Sequence, residues 1–275
     1  MMNKTQSLAL ATLVSLGTLS SAQAARLDLV TVGTAVDVIE QSATVDGETV
    51  NRSVSDALVD DSTSGTVLLS DFQTHGPQGH AGLSVEGGHT HLVSLDATSP
   101  RTALTLDASH VWSATGQGLL DAYSLVQSLS VDGLTLRVSG DAGETFGQWV
   151  HVQFDGTADA LINGLTGAHD LGLTLDVLRG GDTLASFNGF WTADATEAFS
   201  LGFEAMVGDE LTLVLSAYQG FTTEPGRALS GMTELGGQLL LQGEFSVAAV
   251  PEPATWGLAL AGLLLASAAA RRRAR

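Results

Sequence analysis

The run Ser128-Leu129-Ser130-Val131-Asp132-Gly133-Leu134-Thr135-Leu136-Arg137-Val138 decides the fold class. Leu129 and Val131 alternate with serines before the Asp-Gly pair. Leu134, Leu136 and Val138 alternate with polar residues after it. A period of two belongs to a strand with one buried face. Asp-Gly readily takes φ > 0 at both positions, as a type I′ turn requires, so the run predicts a β-hairpin.

The same alternation recurs outward from it. Leu27 to Val32, Thr66 to Phe72, Thr102 to Asp107, Gln148 to Phe154, Leu171 to Leu178, Ala198 to Ala205, Leu211 to Ala217 and Gln238 to Val247 read as strands, as does Tyr123 to Val131. Asp46-Gly47, Asp155-Gly156, Gly180-Gly181 and Gly208-Asp209 read as turns. Arg52 to Ser64 and Gln219 to Met232 read as long loops. Strands never alternate with helical stretches. The expected fold is therefore all-β, an antiparallel β-sandwich or jelly roll.

Composition narrows the functional classes. The 275 residues include no Cys, which excludes a disulfide scaffold, a thiolate nucleophile and an iron–sulfur cluster. Lys and Arg total 11 against 30 Asp and Glu. Five of the basic residues lie in the two end segments. The middle holds six Arg against 29 acids, a formal −23. A domain that acidic repels nucleic acid, and a nucleic-acid partner is not expected.

The two ends read as addresses. Residues 1–24 begin with Lys4, continue through the uncharged run Ser7 to Leu19, and end on Ala22-Gln23-Ala24. Small residues at Ala22 and Ala24 fit signal peptidase, so this segment is expected to be a signal peptide cleaved after Ala24. Residues 25–249 form the passenger. Residues 250–275 then carry Pro251-Glu252-Pro253, an uncharged stretch from Ala254 to Ala270, and Arg271-Arg272-Arg273-Ala274-Arg275. The prolines make a stiff spacer. The 17-residue stretch is at the short limit for a transmembrane helix. The terminal arginines would stay cytoplasmic, which leaves the passenger outside the inner membrane.

Val250-Pro251-Glu252-Pro253, the following Trp256-Gly257-Leu258, the short apolar stretch and the Arg cluster resemble the PEP-CTERM sorting signal. The resemblance covers about 25 residues. It implies an exosortase substrate, held only transiently in the inner membrane of a Gram-negative bacterium. After processing, the passenger would join the cell surface or an extracellular biofilm matrix, with exopolysaccharide as a possible associate.

Within the passenger, His75, His80, His89 and His91 fall within 17 residues. His89 and His91 would share one face of a strand, and with His75 or His80 they could hold a divalent metal. Asp155 and Asp159 flank what reads as a turn, and clustered carboxylates there could bind Ca²⁺ weakly. Neither a catalytic zinc spacing nor an EF-hand loop is present. Trp112, Trp149 and Trp191 could stack on sugar rings, but Phe146, Trp149 and Phe154, like Phe187, Phe190 and Trp191, fit core packing and are expected in the core. No nucleophile elbow, P-loop or dinucleotide fingerprint occurs. The expected role is that of a non-enzymatic surface or matrix protein that needs no cofactor. The alternatives are a Ca²⁺- or metal-dependent carbohydrate-binding module and a polysaccharide-active enzyme.

Overall fold

The computed structural model describes residues 25–45, 48–80, 83–98, 101–140, 146–163, 167–223, 227–250 and residue 262. The signal-peptide segment and the Pro-Glu-Pro motif lie outside these residues, as does the apolar stretch apart from Gly262. Among the described residues no helix is long and apolar enough to cross a membrane.

Among the described residues thirteen strands follow one another: β1 (Arg26–Thr31), β2 (Thr34–Val45), β3 (Glu48–Ala57), β4 (Val59–Asp60), β5 (Thr66–His80), β6 (Leu83–Asp96), β7 (Thr102–Ser139), β8 (Trp149–Asn163), β9 (Gly167–Arg179), β10 (Asp182–Trp191), β11 (Ala195–Met206), β12 (Glu210–Thr223) and β13 (Arg227–Ala249). Every pairing is antiparallel. β7 belongs to both layers. Its first half pairs with β6 and β13, giving one sheet in the order β4-β5-β6-β7-β13-β8-β11. Its second half pairs with β2 and β12, with β1 beside its end, giving a second sheet, β3-β2-β7-β12-β9-β10.

The Asp132-Gly133 pair is no hairpin turn; it lies inside β7. Leu213 pairs with Leu134 and Leu215 with Val131, so Val214 faces two residues of β7. That is a β-bulge, with Gly133 at φ 80°. A positive φ at glycine serves a bulge as well as a turn, and the local sequence does not distinguish them. The bulge also resets the pleat: Leu125, Leu129 and Val131 are buried before it, Leu134, Leu136 and Val138 after it.

Other expectations are corrected in the same way. Asp155-Gly156 continues through β8. The stretch from Arg52 is not all loop, since β3 holds it against β2 as far as Ala57. From Gln219 to Met232 the chain is mostly β12 and β13. Gly180-Gly181 does turn, with φ 58° and 94°, closing β9 onto β10. Gly208 also turns, but between strands of different sheets. Asp46-Gly47 lies outside the described residues, between Val45 and Glu48, which pair.

The core fills from both inner faces. Phe154 and Phe245 are buried, with ring centroids 4.5 Å apart. Gly156 and Gly243 face each other across the ladder, and a Cβ on either would meet the Phe154 ring. The two glycines make the slot this ring occupies. At one margin Phe187 of β10 stacks on Phe199 of β11 at 3.8 Å, joining the sheets. Phe187 and Trp191 are buried as expected, whereas Phe146, Trp149 and Phe190 are exposed.

Candidate functional site

Two places in the fold carry polar organisation beyond ordinary ladders. The first is the end of the sandwich from which the chain leaves toward Pro251. Ala249 pairs with Val150, and the Val250 amide donates to the Trp149 carbonyl at 3.3 Å. The β11–β12 turn lies beside this exit. Val207 donates to Gln148 and accepts from Gly147, at 2.8 and 2.9 Å. Gly208 donates to Val138, and the Val138 amide returns to Asp209. The turn thus ties β7, from the second sheet, to the start of β8, from the first. Asp209 secures it: one carboxylate oxygen accepts from Arg179 at 3.0 Å and from the Met206 amide at 2.9 Å.

Arginine concentrates in this half of the molecule. Arg26 pairs with Asp28 at 2.8 Å, Arg137 with Glu210 at 2.6 Å and Arg101 with Glu244 at 3.1 Å, in addition to Arg179 with Asp209. Four of the passenger's six arginines are therefore spent neutralising acids near the exit.

The second place is a polar layer between the sheets. Asp37, Gln41, His91, Gln127 and Gln219 are all buried. His91 Nε2 lies 2.8 Å from the Gln127 side-chain nitrogen. With Gln127 as donor, the imidazole proton sits on Nδ1, facing Asp37 Oδ2 at 3.6 Å. Gln219 donates to the Ala108 carbonyl at 2.7 Å. The layer joins the two sheets by polar contact where neighbouring levels are Leu, Val and Phe. Its enclosure keeps a polymer away from the Asp37 carboxylate.

The candidate metal ligands divide accordingly. His75 and His80 lie on β5, His89 and His91 on β6. The ladder places Gln73 opposite His89 and Asp71 opposite His91 on β5, while His110 of β7 faces His89 from the other side. The side chains of His75, His80 and His89 lie outside the description. His91 is engaged in the polar layer. Asp155 and Asp159 occupy one strand four residues apart, about 13 Å at strand rise, too far to share one ion. Asp155 instead accepts from Gln153 at 2.9 and 3.1 Å. Among the described residues no three His, Asp or Glu side chains are grouped to hold a metal.

Asp37, Gln41, Gln127 and Gln219 were missed from sequence. The signal was present: each is polar at a position where strand parity demands an apolar residue, as Gln127 does between Leu125 and Leu129.

A shallow concavity of about 360 Å³ lies on the outer face of the second sheet, lined by Glu40, Ser42, Asn51, Ser53, Ser124 and Val126. Among the described residues no aromatic ring lines it.

Comparison with known proteins places one segment. Residues 249–273 match the family model described as the PEP-CTERM protein-sorting motif. The chain therefore carries this motif, the signal of an exported exosortase substrate. No curated protein matches. Solved structures with some similarity include a cyclase from Fischerella sp. in its apo form, at 11% identity and TM-score 0.25, covering 66% of this chain and 89% of that one. The CBM22-1 xylan-binding domain from Paenibacillus barcinonensis is 15% identical at TM-score 0.17, covering 66% and 87%. A mannan-recognising carbohydrate-binding module is 9% identical at TM-score 0.19, covering 67% and 99%. At TM-scores this low none of them informs fold or activity here.

Proposed function

We propose that this protein is a non-enzymatic β-sandwich passenger, exported and then processed at Pro251-Glu252-Pro253 by an exosortase, and released to the cell surface or extracellular matrix. The observation that carries the reading is the sorting motif at residues 249–273, which begins where β13 ends. The passenger closes its last ladder at Ala249, so a cut beyond it removes no strand. Four acids near the exit are engaged by arginine, and Asp37 is sealed between the sheets, which favours a structural role over polysaccharide chemistry.

Intact mass of the surface-released protein tests it. The expected product begins at Ala25 and has lost Trp256 to Arg275. Replacing Pro251, Glu252 and Pro253 together by alanine should leave the uncut tail in the inner membrane. A wild-type chain that keeps its full C-terminus in a host with an active exosortase refutes the processing claim.

A further inference from the structure

We infer that the exit end of the sandwich is a lipid-facing surface, on which Phe146 and Trp149 seat the passenger against the bilayer that holds its tail. The inference rests on the export reading above and adds to it a contact surface with a defined orientation.

Three observations converge. Phe146 is 87% exposed in the turn that leads into β8, and Trp149, the first residue of β8, is 49% exposed. Phe146 lies against Gly208, whose added Cβ would collide with the ring, so the exit turn supports it from beneath. Trp149 is the residue whose carbonyl receives the Val250 amide. The aromatic pair therefore flanks the strand from which the tail departs.

The tether is short. From Val250 only Pro251, Glu252 and Pro253 precede the uncharged stretch at Ala254. Four steps of extended chain reach about 14 Å at most. An apolar tail in the membrane therefore holds this end of the sandwich within about 14 Å of the hydrocarbon, about two headgroup layers. Trp and other aromatics favour that interface, where an apolar ring and polar surroundings are both satisfied.

Charge agrees. A passenger at −23 should avoid an anionic surface. Its arginines are nevertheless gathered near this end and paired with Asp28, Glu210, Asp209 and Glu244. Four of the acids at this end are neutralised in this way.

The absence of Cys makes the test direct, since each introduced thiol is unique. Full-length Phe146→Cys, Phe190→Cys and Ser267→Cys are labelled with an environment-sensitive fluorophore and reconstituted into phosphatidylcholine vesicles, with and without brominated lipid. Phe190 is the matched control, 64% exposed but at the opposite end of β10 from the Gly180-Gly181 hairpin. The expected result is a blue shift and loss of emission to brominated lipid at positions 146 and 267, with position 190 unchanged. Quenching at 267 alone overturns the inference and leaves the export reading intact. Equal quenching at 146 and 190 overturns it as unspecific adsorption. A blue shift at 146 without lipid quenching, seen only when exosortase is added, assigns the patch to the enzyme and overturns the lipid assignment. No quenching at 267 removes the tail from the membrane and overturns both readings.

Discussion

Gly33 and Gly133 lie against each other with no space for a side chain on the first. A Cβ on Gly33 would collide with the Asp132 carbonyl and come within 2.7 Å of the Gly133 carbonyl carbon and the Leu134 amide. A Cβ on Gly133 would sit 3.5 Å from Gly33, an ordinary contact. Both residues have positive φ, 75° and 80°. Gly133→Ala should therefore cost only the left-handed backbone penalty, about 1–2 kcal/mol. Gly33→Ala adds a backbone collision and should cost roughly 3 kcal/mol or more. Urea unfolding of both variants measures this. Equal costs would show that the β7 bulge does not depend on close approach of the two glycines.

The buried Asp37–His91 contact predicts strong non-additivity. His91→Leu leaves Asp37 without its imidazole neighbour and Gln127 without its acceptor, and a buried polar group left unsatisfied costs about 1–3 kcal/mol. Asp37→Leu should be similarly costly. The double variant replaces both by apolar groups and should cost less than the sum by at least about 1 kcal/mol. Simple additivity in the double-mutant cycle would mean that the two side chains are energetically independent despite their 3.6 Å approach.

The strand content was legible because alternation is local. The inward residues Leu173, Leu175 and Val177, or Leu211, Leu213 and Leu215, are readable from their own neighbours. Connectivity was not legible where one residue type serves two geometries. Gly133 adopts the positive φ its sequence invites, yet the partner that makes it a bulge is Val214, 81 residues away. Aromatic burial failed where strand parity opposed it. Trp149 stands one residue out of phase with the buried Val150, Val152 and Phe154, so its side chain shares the outward face of His151 and Gln153. The Asp37–His91 contact joins β2 to β6 across the sandwich, and no local pattern announces such a pair.

Acid should first help this fold and then harm it. Asp60 is held below the usual carboxylate range by the Ser62 hydroxyl and amide, Asp96 by those of Thr98, and Asp155 by the Gln153 and Ser200 side chains. For Asp28, burial pushes upward, but hydrogen bonds from Ser139 and Arg26 and the charges of Arg26 and Arg137 outweigh it. Each pKa is depressed in the folded state. Their stabilisation is thus present above the unfolded value near 3.8 and is lost as pH falls through the folded values. Between pH 7 and about 5 these groups stay ionised while the general negative repulsion begins to ease. Melting temperature should be level or rising over that interval and should fall below about pH 4. A steady decline from pH 7 to 5 in buffers of constant ionic strength would contradict this account.

Calcium provides the sharpest check on the acidic surface. The passenger's −23 stores self-repulsion that any cation screens. A site would add a term beyond screening, because binding to the folded state stabilises by mass action. Asp155 and Asp159 lie along one strand, and their separation denies them a common ion. Asp155 is occupied by Gln153, and Glu244 opposite it is paired with Arg101. Millimolar Ca²⁺ should therefore raise the melting temperature no further than NaCl at matched ionic strength. A shift of a few degrees is about 1 kcal/mol for a domain of this size, well within reach of calorimetry. Asp155→Asn and Asp159→Asn should leave the Ca²⁺ response unchanged. An excess shift in Ca²⁺ that either substitution abolishes would restore a specific site at β8 and would require that strand to rearrange around the ion.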